Sequence, residues 1–326
     1  MLLPTLGPLH LLQPRYNAVT LLELTRKYGP DEVLLASYSP EGLVEGRWRD
    51  EEELGLFHLL PWSERSGVPV RAISRDAELL RAEADRFREY LEQMEKGQAY
   101  LEDERAWREE LAEVLRQPLE PAAFGEARVL GPLTHYLDRV RENFGEGPAT
   151  GFRQARMQDV AEKLRSLPPG RYVVWVDLLD YPLLLEHAPD LRLPGEHEPS
   201  EEERARAVMD RAWLLDEQDD WASLLQQLGE IGSPEAGYLA AQIYLAAGQV
   251  ADAAELLQQV SEGDFHQPEY LPGYLLARLG QVRDLLGERE RAIRAYRGVL
   301  ALSWAPEEAR EIATAGLRTP FRIQDL

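Results

Sequence analysis

The residues of this chain best suited to chemistry are one histidine, His10, and two aspartates, Asp177 and Asp180. His10 follows an apolar run at residues 2–6 that predicts a short strand, and imidazole is a common metal ligand. The aspartates follow a continuous apolar run at residues 172–176, which is typical of a strand buried on both faces. Since ligands bind at the carboxyl ends of parallel strands, these side chains are candidate ligands for one divalent cation, Mn²⁺, Zn²⁺ or Mg²⁺.

Two of these side chains also have a structural interpretation. His10 fits a loop histidine that is hydrogen-bonded to the backbone. Asp180 fits the N-cap of the helix that follows it, because its carboxylate can accept hydrogen bonds from the first-turn amides. Another histidine, His197, lies in the acidic stretch 194–203 and is expected to be solvated. Ser200 is expected to cap the helix that begins there.

The elements that must position these residues form an α/β domain over residues 1–195. Its helical stretches alternate with short apolar runs, which predicts a mainly parallel sheet with helical crossovers. Five strands are expected, at residues 2–6, 33–36, 67–73, 172–176 and 191–193. A helical insertion occupies residues 76–145, and Gly97 is expected to break its charged segment into a hairpin.

Residues 200–326 are predicted to be all-helical. Residues 246–253 match residues 285–292 at an offset of 39, and in each a helix ends at a glycine and the next helix begins with an alanine five residues on. This pattern resembles tetratricopeptide repeats, which act as interaction scaffolds. We expect a concave face with exposed aromatic side chains, and a helical cap that only covers the first domain is the alternative. The expected partner-binding residues are Tyr238, Tyr244 and Tyr274.

Composition excludes several classes of function. The chain has 326 residues, a net charge of −22 and no cysteine. The negative charge argues against nucleic-acid and anionic-membrane partners, and the lack of cysteine excludes disulfides, thiol nucleophiles and Cys-based metal sites. No apolar run is long enough for a membrane span, and no signal peptide is evident before Arg15. We therefore expect a cytoplasmic protein.

Four segments of the first domain resemble the superfamily of TraB/Tiki and erythromycin-esterase/ChaN-like proteins. Residues 6–12 are similar to its first Gly-x-x-His motif, and residues 66–76 to its Gly-Ile-Pro-Val strand end. Residues 153–167 match its arginine- and methionine-bearing helix, and residues 172–185 lie where its second Gly-x-x-His is expected. In this chain the sequence at 176–180 replaces that second motif.

The resemblance implies metal-hydrolase chemistry with His10, Arg153 and Arg156 at catalytic positions and Asp177 and Asp180 as substitute ligands. An arginine there would polarise a substrate carbonyl or bind a carboxylate. Because one histidine supplies few of the required ligands, we expect a catalytically eroded domain in a protein-interaction or scaffold protein. The alternative is a divalent-metal-dependent hydrolase. The oligomeric state is not predicted by the sequence.

Overall fold

The computed structural model describes residues 1–75, 77–145, 147 and 150–322. Asp76, where the helical insertion is expected to begin, lies outside the described residues. The chain forms two compact units, Met1–Arg204 and Ala205–Leu326. Within the described ranges, none of the helices combines the length and the apolar character that a membrane crossing requires.

The first unit is built on a parallel sheet, which confirms the predicted α/β architecture. Its strands are β1 (Leu2–Thr5), β2 (Glu32–Leu35), β3 (Val70–Ala72) and β4 (Tyr172–Asp177). The strand order is β1-β4-β2-β3, and every neighbouring pair is parallel. Because β4 pairs with β1 and β2, its central side chains are buried on both faces, as its continuous apolar run predicts.

The prediction of a strand at residues 191–193 is wrong, and the described residues form four strands. The carbonyl oxygen of Arg192 accepts one hydrogen bond from the backbone nitrogen of Leu2, at 2.8 Å. A ladder needs a series of such bonds. The run has only three residues and is followed by Pro194, which has no amide hydrogen to continue it.

Short helices connect the strands. The bounds are α1 (Ala18–Tyr28), α2 (Pro40–Glu45), α3 (Arg47–Asp50) and α4 (Leu56–Ser66). The side chain of Asn17 caps α1 by accepting hydrogen bonds from the backbone nitrogens of Val19 and Thr20, both at 3.1 Å. Gly29 ends α1 at a φ of 63°, a left-handed conformation that favours glycine.

Longer helices form the insertion and lead into β4. They are α5 (Ala77–Glu92), α6 (Glu95–Leu115), α7 (Ala127–Phe144) and α8 (Gly151–Arg165), and α9 (Tyr181–His187) follows β4. The predicted helical hairpin is present as α5 and α6, but the break lies at residues 93–94 and Gly97 lies inside α6. A Cβ at Gly97 would lie 2.1 Å from the carbonyl oxygen of Leu91, so glycine allows α6 to begin directly against the end of α5.

The second unit contains paired helices. The helices from the boundary onward are α10 (Glu201–Trp213), α11 (Trp221–Ile231), α12 (Pro234–Ala246), α13 (Val250–Glu262), α14 (Leu271–Leu285), α15 (Arg289–Ala301) and α16 (Glu307–Arg318). The turns after α12 and α14 contain Gly248 and Gly287, at φ values of 76° and 74°. The 39-residue offset therefore corresponds to two helix pairs with the same turn.

Close packing in the last helices depends on glycine. A Cβ at Gly280 would lie 2.4 Å from Cε1 of Tyr296, and a Cβ at Gly316 would lie 2.3 Å from Cζ of the same ring. Tyr296 is fully buried, and its hydroxyl donates a hydrogen bond to Asp284 at 3.0 Å. α14 and α16 each present a glycine to this ring, so one aromatic side chain sets the spacing of both.

Candidate functional site

The carboxyl ends of the strands open into a cavity of about 670 Å³ in the first unit. Thr5 at the end of β1 and Asp177 at the end of β4 both line it, as do Arg153 and Arg156 from α8 and Asp180 from the turn before α9. This is the edge at which α/β sheets bind ligands. We call Ser37, Arg153, Arg156, Asp177 and Asp180 the edge cluster.

Asp180 is the centre of the edge cluster. Its side chain is 1% exposed and receives hydrogen bonds from the Ser37 hydroxyl at 2.8 Å, from Arg153 Nη1 at 2.7 Å and from Arg156 Nη2. Burial opposes ionisation, but the two guanidinium groups outweigh it and lower the pKa of Asp180 below its ordinary value. Asp180 occupies the N-cap position of α9, but its side chain makes no capping bond, so the N-cap interpretation is wrong for the carboxylate.

The sequence places the two arginines on one face of α8, because residues three apart in a helix are neighbours. Arg156 is held by Asp180 and also donates from Nη1 to the Ser74 hydroxyl at 3.2 Å. The Ser37 hydroxyl accepts from the backbone nitrogen of Asp177 at 2.8 Å while it donates to Asp180. These contacts fasten α8 to the ends of β2 and β4.

Asp177 is the accessible carboxylate of the edge cluster. Its side chain is 45% exposed, and Oδ1 lies 3.5 Å from Arg153 Nη1. Oδ1 also accepts a hydrogen bond from the backbone nitrogen of Leu179 at 2.9 Å. The structure therefore brings four predicted site residues together: Arg153, Arg156, Asp177 and Asp180.

His10 lies apart from this group and is fully buried in a 3₁₀ turn, Gly7–Leu12. Its Nε2 accepts a hydrogen bond from the backbone nitrogen of Leu6 at 3.0 Å, so Nδ1 carries the proton and donates to the carbonyl oxygen of Tyr16 at 2.7 Å. Burial lowers the pKa of His10 to about 4. Both ring nitrogens are engaged by the backbone, and neither is available to a cation.

The described side chains do not assemble a metal centre around the edge cluster. In residues 1–75, 77–145, 147 and 150–322, no three His, Cys, Asp or Glu side chains are grouped so that they could hold a metal ion. The described residues that line the cavity do not include His10. The carboxylate of Asp180 is occupied by cationic side chains instead, which is the arrangement expected of a structural ion network.

Glu53 is a cavity residue that sequence reasoning missed. It is 5% exposed, and the pKa of its carboxyl is raised to about 7 by burial, with a smaller contribution from the charge of Asp177. The Thr5 hydroxyl and the backbone nitrogen of Gly55, at 3.4 Å, hydrogen-bond to it. Glu53 belongs to an acidic run, residues 50–53, which gives no local sign of burial. Two residues later, Gly55 packs closely, since a Cβ there would lie 2.8 Å from the Trp175 ring.

Arginine–carboxylate contacts also line the cavity away from the strand ends. Glu104 on α6, whose side chain is 3% exposed, accepts from Arg88 at 3.0 Å, from Arg108 and from the Tyr136 hydroxyl at 2.7 Å. Arg81 on α5 pairs with Glu51 and donates from Nη2 to the backbone oxygen of Ser37 at 2.8 Å.

The prediction that His197 is solvated is wrong. Its side chain is 6% exposed, and its Nε2 lies 2.8 Å from Oε1 of Glu203. Glu203 Oε2 accepts from the backbone nitrogen of Ser200 at 2.7 Å, and the Ser200 hydroxyl accepts from the Glu203 nitrogen at 3.2 Å. This reciprocal pair is the capping box that Ser200 predicts. It fixes the Glu203 carboxylate, and the hydrogen bond to this carboxylate holds His197 in a buried position.

The three tyrosines expected on an exposed face differ in exposure. Tyr238 is 3% exposed and its ring centroid lies 5.3 Å from that of Trp213, so its prediction as an exposed residue is wrong. Tyr244 and Tyr274 are half-buried. Tyr274 also packs on Trp213, at 5.3 Å between ring centroids.

Tyr244 lines a groove of about 460 Å³ in the second unit, between α11, α12 and α13. None of the described residues that line this groove carries a charge, although 29% of the chain is charged. We call it the α12 groove. Its larger side chains are Leu225, Leu228, Tyr244, Leu256 and Val260, together with the polar Gln259.

Comparison of the chain with known protein families, with curated protein sequences and with solved structures finds no match.

Proposed function

We propose that this chain acts through protein contacts, with an apolar segment of a partner protein bound in the α12 groove. The observation that carries the proposal is the absence of charge in the described lining of that groove, in a chain whose net charge is −22. An uncharged concave strip between helices is the surface on which the apolar face of a peptide or helix is buried. The paired helices support the resemblance of this region to tetratricopeptide repeats.

The first unit is proposed to be a non-hydrolytic relative of the TraB/Tiki and erythromycin-esterase/ChaN-like proteins. The hydrogen bonds of His10 support this, because its nitrogen lone pair is taken by the amide of Leu6 and its proton by Tyr16. The buried ion pairs of Asp180 with Arg153 and Arg156 support it as well. A metal site would require the Leu6 contact of His10 and the arginine contacts of Asp180 to be exchanged for metal bonds.

A photo-crosslinking amino acid tests the proposal directly. It replaces Leu256, a half-buried residue of the α12 groove, and in the control it replaces Leu300, which is 38% exposed on α15. We expect a specific crosslinked protein from position 256 in cells of the source organism, and none of the same mass from position 300. Tyr244→Asp, which places a charge in the groove, is expected to abolish the crosslink.

The crosslinked protein is then purified and its affinity for this chain measured. An affinity reduced at least tenfold by Tyr244→Asp, with the fold retained by circular dichroism, supports the proposal. Equal crosslinking from both positions, or binding that is unchanged in Tyr244→Asp, contradicts it.

A further inference from the structure

The cavity of the first unit carries a different charge pattern from the rest of the molecule. Among the residues that the structure describes, six arginines and six carboxyl groups line it, so their formal charges sum to zero while the chain has a net charge of −22. Burial raises the pKa of Glu53 to about 7, which favours its uncharged form. The cavity is therefore neutral to slightly positive.

Positive charge is concentrated in two groups of side chains. In each, one buried carboxylate holds two arginines: Asp180 holds Arg153 and Arg156, and Glu104 holds Arg88 and Arg108. Each group has a formal charge of +1. The partly exposed Asp177, 3.5 Å from Arg153, offsets the first group in the empty cavity.

The outer arginine of each group retains hydrogen-bond donors. Across the described residues, every hydrogen bond and ion pair of Arg153 runs through Nη1, and its side chain is 30% exposed. The ion pair of Arg108 runs through Nη2, and its side chain is 57% exposed. A guanidinium group has five N–H donors, so both side chains can receive a ligand oxygen without leaving their carboxylates.

We propose that this cavity binds a small organic dicarboxylate, with one carboxylate on Arg153 and the other on Arg108. Two separate cationic groups on different helices, α8 and α6, call for a ligand with two separate anionic ends. A guanidinium fork fits a carboxylate in two parallel hydrogen bonds. The volume of about 670 Å³ is typical of an organic ligand and much larger than a single inorganic anion fills.

The site is independent of the partner binding proposed for the second unit, and each can fail without the other. It also gives Arg153 and Arg108 a function beyond holding α8 and α6 in place. Asp180 and Glu104 fix the guanidinium groups in position before the ligand arrives, which lowers the entropy cost of binding.

Titration calorimetry of the full chain tests the proposal. The probes are succinate, glutarate and adipate, which differ in the spacing of their carboxylates, with propionate as the monocarboxylate and inorganic phosphate as the single compact anion. All are compared at equal ionic strength, since salt screens exposed charges. We expect one dicarboxylate to bind at least tenfold more tightly than propionate and more tightly than phosphate.

Two variants assign the binding to the two arginines. Arg108→Gln is expected to reduce the affinity for the best dicarboxylate at least tenfold, to the level of propionate. Arg105→Gln, an exposed arginine on the same helix outside the cavity, is the matched control and is expected to leave it unchanged. Arg153→Lys keeps the ion pair with Asp180 but loses the planar fork, and it is expected to weaken binding to a similar extent.

Several results would overturn the proposal. Phosphate binding as tightly as every dicarboxylate would indicate a site for one compact anion. No binding of the three dicarboxylates at millimolar concentration by the folded chain would show that the arginines only hold the structure. Equal effects of Arg108→Gln and Arg105→Gln would show that binding depends on general surface charge.

Discussion

The imidazole Nδ1 of His10 lies 2.7 Å from the carbonyl oxygen of Tyr16, six residues along the chain. This hydrogen bond, with the one from the Leu6 nitrogen to Nε2, closes the turn between β1 and α1 around a neutral ring. His10 is therefore a structural residue, and its effect on stability should depend on pH in a definite direction.

The first prediction concerns His10→Gln. The pKa of His10 is about 4 in the folded chain, against the ordinary histidine value of 6.5 in the unfolded chain, so the folded state binds fewer protons between these limits. A lowered pKa contributes stability that is present above pH 6.5 and is lost as pH falls through 4, by about 3 kcal/mol in total. His10→Gln should be less stable than the wild type by about 2 kcal/mol at pH 7, because the buried backbone groups lose their partners.

The measurement is urea unfolding of both proteins at pH 7 and at pH 4.5. The difference in free energy of unfolding between them should shrink at the lower pH, since only the wild type loses the histidine contribution. A difference that stays constant would show that His10 is not held neutral in the folded chain.

The second prediction compares the two aspartates of the edge cluster. Asp180→Asn leaves Arg156, whose side chain is 6% exposed, without its carboxylate, and should reduce the free energy of unfolding by about 3–5 kcal/mol. Asp177→Asn alters a 45% exposed side chain and should cost less than about 1 kcal/mol. Denaturant unfolding at pH 7 measures both. Similar losses in the two variants would argue against Asp180 as the centre of an ion network.

Much of the first unit was predictable because its signals are local. The continuous apolar run of β4 identifies a central strand, and the apolar runs of β1, β2 and β3 identify the other strands of the parallel sheet. The failed strand at residues 191–193 shows the limit of this reasoning. A three-residue apolar run does not specify whether its backbone finds a ladder partner or only one hydrogen bond.

The sequence predicted which residues lie at the site, but it did not predict which partners they bind. Asp177 and Asp180 were placed at the sheet edge by the end of β4, but the partners of Asp180 come from α8 and from Ser37, which is 143 residues away. Glu53 was missed because its hydrogen-bond partner is Thr5, which lies at the end of β1 and is distant in the sequence. Such long-range contacts decide whether a carboxylate is a ligand, a counter-ion or a proton acceptor.

The third prediction concerns the glycines around Tyr296. Gly280→Ala would place a Cβ 2.4 Å from the ring, so the helices must separate or the ring must move. Overpacking of this kind costs about 1–3 kcal/mol. The matched control is Gly229→Ala on α11, where a Cβ meets open space, and this change should stabilise the helix by about 0.5–1 kcal/mol.

Thermal unfolding followed by circular dichroism checks both glycine variants. Gly280→Ala should lower the midpoint and Gly229→Ala should raise it. A midpoint that is unchanged in Gly280→Ala would mean that Tyr296 has room to move, and that α14 does not depend on glycine for its approach.

The fourth prediction arises from a buried charge imbalance in the second unit. Arg206 Nε donates to Asp210 at 2.7 Å, and Arg206 Nη1 donates to Glu235 at 2.9 Å. One guanidinium thus serves two buried carboxylates, and Asp210 Oδ2 is buried without a hydrogen-bond partner among the described residues. Burial raises the pKa of Asp210 to about 6.

A raised carboxyl pKa means that the folded state binds more protons than the unfolded chain between pH 3.8 and 6. Its contribution to stability is present below pH 3.8 and is lost as pH rises through 6, by about 3 kcal/mol in total. Asp210→Asn cannot ionise, and its Oδ1 can still accept from Arg206. As the pH rises from about 4 to 8, the free energy of unfolding of the variant should therefore increase by about 3 kcal/mol relative to that of the wild type.

Urea unfolding followed by the fluorescence of the tryptophans, including Trp213 beside this cluster, measures this difference in free energy of unfolding. Parallel stability curves for the two proteins would show that Asp210 is ionised throughout this range, and that Arg206 balances both carboxylates.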